Sequence, residues 1–323
     1  MLLLTLAASL AGCGAGTGFI IKPVPLKDQV VENVVAADPG LLVGDRIAVV
    51  DVDGLIMNQR NTGGLLGPRD NPVSLLVEKL DKAQADMRVK ALVVRINSPG
   101  GGVTASDIIY RRVMEFRQAR KVPVIAVIED VGASGGYYIA CSADAIVAHP
   151  TSITGSIGVI VQTISLAGSM KMIGIEAKAL TSGAYKDMGS PLKPLNEKDQ
   201  AIIQAMVNEF YQRFVSVVAA GRPKLTPEKV QALADGRVYT GRQALDNGLV
   251  DSLGYVSDAI ALAKKLSGAA RVKVVMYARP WGQKQNVYSQ APDLPPQMNL
   301  INVNMPSLMS LAQPQFLYLW TGN

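Results

Sequence analysis

Two short segments hold residue types that do chemistry when a fold brings them together. The first is Asn97-Ser98-Pro99-Gly100-Gly101-Gly102-Val103, directly after an apolar run and before an amphipathic one. Glycines at a strand end leave backbone N–H groups free to face a ligand, and a following helix adds the positive end of its dipole. Such a turn suits an oxyanion or a phosphate. It has neither the GxGxxG spacing of a dinucleotide turn nor the GxxxxGK[ST] of a P-loop, which disfavours a nucleotide. The second segment is Gly132-Ala133-Ser134-Gly135-Gly136-Tyr137-Tyr138. Its first five letters fit the GxSxG nucleophile elbow, where a sharp turn lifts the serine out of a sheet. Each segment also has an ordinary reading, as a glycine-rich turn and as a serine helix cap.

A serine hydroxyl needs a base, and the sequence offers two kinds. His149 is the single histidine of the chain; it precedes Pro150, and no carboxylate beside it has the placing of a triad acid. The other is a lysine left neutral by burial, because desolvation lowers the pKa of an amine. Lys186 follows a strand-like stretch in Thr181-Ser182-Gly183-Ala184-Tyr185-Lys186-Asp187, among small and apolar residues. Taken alone, a lysine in a loop is ordinarily a solvated charge.

Apolar runs of strand length cover 47–52, 91–96 and 124–128. Between the first two, Val73, Leu76, Val77, Leu80 and Met87 recur at helical spacing, as do Ile108, Ile109, Val113 and Phe116 within 104–120. Strands alternating with helices in this way predict an α/β fold with a largely parallel sheet. Further strands are expected at 144–148, 158–161 and 271–277, and helices at 196–220, from Pro227, and at 255–266.

With 323 residues, 49% of them apolar and 18% charged, the chain is large enough to bury a core. The net charge is only +6, and lysines and arginines are scattered without interleaved aromatics, which disfavours nucleic acid as a partner. One histidine excludes a histidine-rich metal centre, and two cysteines allow at most one internal disulfide.

The first ten residues are uncharged and mostly apolar, and no charge precedes Lys22. That run is shorter than the roughly 20 residues of a membrane-spanning helix and reads as an export signal. Leu10-Ala11-Gly12-Cys13 resembles a lipobox, with Cys13 as the lipid attachment point. The alternative is an uncleaved anchor over residues 2–21, disfavoured by Gly12, Gly14, Gly16 and Gly18. Either reading puts the bulk of the chain outside the cytoplasm, on a membrane surface. Residues 14–44 then form a linker and 45–279 one catalytic domain. Residues 280–323, charged only at Lys284 and Asp293, form an apolar extension that packs on the body, a neighbouring subunit or the membrane.

Several segments, in this order, resemble the signal peptide peptidase A family in its single-domain form. They are Arg95-Ile96-Asn97-Ser98-Pro99-Gly100-Gly101-Gly102-Val103, Ala133-Ser134-Gly135-Gly136-Tyr137-Tyr138-Ile139, Thr154-Gly155-Ser156-Ile157-Gly158-Val159 and Ser182-Gly183-Ala184-Tyr185-Lys186-Asp187. Tyr239-Thr240-Gly241-Arg242-Gln243-Ala244 and Gly248-Leu249-Val250-Asp251 follow. These are Ser/Lys proteases of the Clp protease/crotonase superfamily. The resemblance implies a spiral of β-strands and helices, Ser134 as nucleophile, Lys186 as general base and Ser156 as the serine that orients the lysine. It implies an oxyanion hole from the amide of Gly135 and one from Gly100 or Gly101. It implies no metal or organic cofactor, hydrophobic peptides such as cleaved signal peptides as substrates, and attachment to a membrane of the bacterial cell envelope. It also implies a ring or dome of identical subunits, eight for this single-domain size. Three other readings compete. A crotonase-like acyl-CoA hydratase or isomerase would share the fold but need pocket carboxylates and coenzyme A. A membrane serine protease acting on stomatin-like partners shares the nucleophile region, and a non-catalytic lipoprotein scaffold would leave the dyad positions unused.

Overall fold

The computed structural model describes residues 29–41, 43–58, 71–279, 287 and 315–322. Cys13, the signal and most of the expected C-terminal extension lie outside the described residues.

In chain order the first elements are β1 (Val31–Ala37), β2 (Arg46–Asp53), α1 (Pro72–Ala85), β3 (Val89–Ser98), β4 (Gly100–Gly102), α2 (Val103–Arg120), β5 (Val124–Ala133) and α3 (Gly135–Ala140). Next come β6 (Ala145–Ala148), β7 (Ile153–Gly155), β8 (Ile160–Val161), α4 (Ala167–Met172), α5 (Glu197–Gly221) and α6 (Pro227–Leu233). The last are β9 (Val238–Thr240), α7 (Gly241–Asp246), β10 (Ser252–Leu253), α8 (Val256–Ser267), β11 (Lys273–Ala278) and β12 (Phe316–Leu319).

The main sheet runs β1-β11-β2-β3-β5-β6-β10, with β7 continuing along β5 and β9 beyond β7. All its pairings are parallel except β1 with β11 and β7 with β9. The apolar runs read from the sequence are its centre, and their continuity has a physical cause: both faces are covered. Ala48, Val50, Val52, Leu92, Val94, Ile96, Ala126 and Ile128 share one core with α1, α2, α3 and α5. The alternate residues Ile47, Val49, Ala91, Val93, Ile125 and Val127 pack on the other face with Val256, Ala259 and Ala263 of α8. At roughly 1.5–3 kcal/mol for each fully buried aliphatic side chain, this two-sided burial is the main force holding the sheet.

Local signals fix the helix ends. The Asn71 side chain accepts from the amides of Val73 at 2.9 Å and Ser74 at 3.3 Å, with Pro72 opening α1. Asn196 caps α5 by accepting from the Asp199 amide at 2.8 Å. Thr240 and Gln243 cap α7 reciprocally, and Gly268 ends α8 in the left-handed region.

Two strands come from stretches where the sequence signals no element. β1, inside residues read as linker, lies antiparallel on β11 at the sheet edge. β12, in the apolar extension, sits between β4 and β8, antiparallel to both, in a small second sheet.

Candidate active site

β5 changes partner part-way along. Ile125 to Ile128 pair with β6, whereas Val131 to Ala133 pair with β7. A register shift in the β3–β5 pairing accompanies the change, with Gly132 opposite Ser98, and the end of β5 delivers Ser134 to the turn before α3. Ser134 has φ 52 and ψ −115, is 1% exposed, and is pinned by its own amide donating to Gly155 O at 2.8 Å. Its carbonyl accepts from the Tyr138 amide at 2.9 Å, which starts the helix. Positive φ at a non-glycine residue costs about 1–3 kcal/mol and persists only where the surroundings impose it.

Ser156 stands beside Ser134. The register pairs Ala133 with Gly155, so the two serines are the residues that follow the ends of two paired strands. Ser156 is also buried with φ 50, and its amide donates to Arg237 O at 2.8 Å. Among the described residues the non-glycine positions with positive φ are Lys121, Ser134 and Ser156. Lys121 is an ordinary helix C-cap, so the remaining strain is concentrated in the two serines.

The Gly100–Gly102 segment forms the facing wall as a strand rather than the loop its glycines suggest. On one side Ile56 holds it, donating its amide to Gly100 O at 2.9 Å and accepting from Gly102 N at 2.8 Å. The Gly100 amide donates to Ser98 Oγ at 3.1 Å, and that hydroxyl donates to Gly54 O at 2.6 Å. On its other side the segment pairs with β12. Gly100 needs to be glycine twice over. Its φ is +101, and a methyl there would strike the carbonyl oxygen of Tyr318 and come within 2.7 Å of the Gly135 nitrogen. A methyl on Gly135 would strike Ser106 Oγ, itself donating to Gly102 O at 3.0 Å. The Gly135 amide, the glycine strand and the Tyr318 carbonyl therefore converge next to Ser134.

Lys186 lies elsewhere. The strand expected before it does not form; it sits exposed in a turn, with its amide donating to Gly183 O at 3.1 Å. Among the described residues no hydrogen bond or ion pair joins its amine to Ser134 or Ser156. The apolar surroundings expected from neighbouring residue types are absent because the whole stretch is exposed: α4 has no buried residue, and Met172, Ile173 and Leu180 are largely bare. Asp187 turns instead to Lys193, at 2.7 Å, which holds its carboxyl below the usual range.

His149 is accounted for structurally. Its Nδ1 lies 2.8 Å from Thr151 Oγ1 and its ring meets Tyr255 edge-on at 4.6 Å. Cys141 is buried and free, with burial pushing its thiol up to about 12.

The later motifs brace the site. Arg222 grips Asp251 through two 2.8 Å hydrogen bonds, and the Tyr137 hydroxyl donates to Leu249 O at 2.7 Å, tying α3 to the Gly248–Asp251 turn. Burial alone would raise the Asp251 pKa, but Arg222 and the Ile146 amide outweigh it and hold the carboxyl low. Sequence reasoning missed Ile56, Ser106 and Tyr318. Ser98 stood inside a motif already singled out, without a role.

Comparison with known proteins places the chain in a family. The model of peptidase family S49 matches residues 116–270, a span that includes Ser134, Ser156 and Lys186. The chain is 36% identical over 232 residues to a putative signal peptide peptidase SppA of Enterococcus faecium, covering 72% of this chain and 67% of that one. It is 36% identical over 238 residues to a putative protease of Methanocaldococcus jannaschii, covering 73% and 76%. A solved membrane-bound stomatin-specific protease in complex with a substrate peptide aligns at TM-score 0.44 and 16% identity, over 73% of this chain and 93% of that one. The parallel-rich α/β fold is the class that the resemblance implied, and the relatives place the chain with peptidases rather than acyl-CoA hydratases. The chain belongs to peptidase family S49 and is a serine peptidase of the signal peptide peptidase A kind.

Proposed function

We propose that the protein is a membrane-attached endopeptidase that cleaves hydrophobic peptides, such as cleaved signal peptides, with Ser134 as nucleophile and Lys186 as base. The observation that carries this reading is the strained, buried Ser134 with the Gly135 amide and a peptide carbonyl, that of Tyr318, gathered beside it. Ser134 Oγ attacks the substrate carbonyl, giving its proton to Lys186. The oxyanion takes N–H donors from Gly135 and Gly101, each worth about 3–4 kcal/mol in such a hole. Gly101 is favoured over Gly100 because the Gly100 amide already donates to Ser98 Oγ. Lys186 then protonates the leaving amine, and water, activated by the same lysine, releases the acyl group. In this reading Ser156, which follows β7 next to the end of β5, receives and orients the amine.

For this dyad to close, the exposed stretch carrying Lys186 must seat against the site. A run of exposed Ile164, Met172, Ile173, Ile175 and Leu180 is the kind of apolar surface that another copy of the chain covers. The reading therefore includes a homo-oligomer, with lipid on Cys13 holding it at a bacterial envelope membrane. The test is a fluorophosphonate label together with a quenched hydrophobic peptide. Ser134→Ala should lose both signals and Lys186→Ala should lose turnover, with unchanged circular dichroism. His149→Gln should leave the rise of rate with pH as it is. Full turnover in either dyad variant would sink the reading.

A further inference from the structure

Ser98 ends β3, is wholly buried, and holds its hydroxyl between two main-chain groups. The oxygen accepts from the Gly100 amide at 3.1 Å, and the O–H donates to Gly54 O at 2.6 Å. A carbonyl can only accept, so the single proton of the hydroxyl is committed to Gly54, and the Gly100 amide faces its oxygen. Residue 99 is a proline without an N–H, which makes the Gly100 amide the first main-chain donor after β3.

With that amide taken, the direction of the next one follows. Gly100 O accepts from the Ile56 amide at 2.9 Å, and Gly102 N donates to Ile56 O at 2.8 Å. In an extended segment the main-chain groups of neighbouring residues point to opposite edges, so Gly101 turns its amide away from Ile56. The Gly135 nitrogen is close by, 2.7 Å from where a methyl on Gly100 would stand. Ser98 also touches the segment that carries Ser134. It is registered opposite Gly132, two residues before that serine, and its carbonyl oxygen would lie 2.8 Å from a methyl on Gly136. One residue therefore spaces the glycine strand from both β5 and α3. Three consecutive glycines have little torsional stiffness of their own, so the strand keeps its course only through what holds it.

We propose that Ser98 is a positioning residue for peptide hydrolysis. Its hydroxyl takes up the Gly100 amide and fixes the glycine strand so that the Gly101 amide, together with that of Gly135, meets the developing oxyanion. The proposal rests on Ser134 being the nucleophile. A preorganised donor acts on charge that develops in the transition state, so loss of the hydroxyl falls on kcat rather than on KM.

The test compares the full chain with its Ser98→Ala, Ser98→Thr and Ser142→Ala variants. Ser142 is the control: it is also buried, and its hydroxyl donates to Ile139 O at 2.6 Å. Hydrolysis of a quenched hydrophobic peptide gives kcat and KM, the rate constant of fluorophosphonate labelling reports formation of the tetrahedral adduct, and urea unfolding reports stability. Ser98→Ala should lose at least about tenfold in kcat and in labelling rate, with KM within about twofold of the parent. Ser98→Thr, which keeps the hydroxyl, should recover most of that loss, and Ser142→Ala should lose stability while keeping kcat. A folded Ser98→Ala chain with the kcat of the parent, or a loss confined to KM, would overturn the proposal. An equal loss of kcat in Ser142→Ala would do the same, since it would mark a general effect of lost stability. Where alanine prevents folding, Ser98→Cys fills the space with a poor hydrogen-bonding group, and a parent-like kcat there would also overturn the proposal. A parent that does not react with the phosphonate removes Ser134 as nucleophile and this role of Ser98 with it. A parent that reacts at the same rate as Ser98→Ala removes the role of Ser98 alone.

Discussion

Replacing Gly100 by alanine separates the backbone of the site from its chemistry. The residue has φ +101, a conformation that an L side chain adopts at a cost of about 1–3 kcal/mol. For a body of this size each kcal/mol lowers Tm by roughly 2–4 °C. The added methyl would also occupy the space of the Tyr318 carbonyl oxygen and approach the Gly135 nitrogen to 2.7 Å. A substrate carbonyl meets the same obstruction, so the loss should match that of an oxyanion donor, about 10²–10³ in kcat. The assay is urea unfolding and peptide hydrolysis on the same preparations, with hydrogen exchange of the Trp320 amide, which should speed up as β12 leaves Pro99. Gly268→Ala is the control. That glycine also has positive φ, +69, but nothing lies within 4 Å of the added carbon. It should cost about 1 kcal/mol of stability and leave kcat unchanged. A folded Gly100→Ala chain whose kcat stays within tenfold of the parent would refute the claim that this glycine borders the reacting carbonyl.

Two other expectations concern strain and charge. Ser134→Gly should abolish turnover yet raise stability by about 1 kcal/mol, the relief at φ 52 exceeding the added chain entropy; a lowered Tm would show that the serine is not strained. Asp251→Asn should cost about 3 kcal/mol at neutral pH by leaving buried Arg222 without its counter-charge. The folded Asp251 pKa lies below its ordinary value, so its contribution is complete above the usual aspartate range and fades as pH falls through the lowered value. Urea midpoints for parent and variant should converge in acid, and a gap that persists there would be the contrary result.

The centre of the fold was legible because burial on both faces writes itself as apolar runs, seen at 47–52, 91–96 and 124–128, and because Asn71, Asn196 and Gly268 mark helix ends. The turn at Ser134 was legible because a sharp strand-to-helix turn needs glycines around it. β1 was hidden since it lies on an edge with much of its length exposed, leaving no apolar pattern. β4 reads as a loop because glycine carries no strand propensity, and it is a strand only through Ile56 and β12. β12 was hidden because its partners lie more than a hundred residues away. The setting of Lys186 was misread for a related reason: apolar neighbours in sequence say nothing about whether anything covers them.

The strand formed by Phe316–Leu319 belongs to the same chain as β4 and β8, between which it sits. Because the pairing is made within one chain, β12 meets its partners at a standing effective concentration. An added strand-forming peptide would then compete against that standing concentration for the edges of β4 and β8. Anything that draws β12 away from the glycine strand would consequently alter the surroundings of Ser134 without changing a residue of β4 or β5.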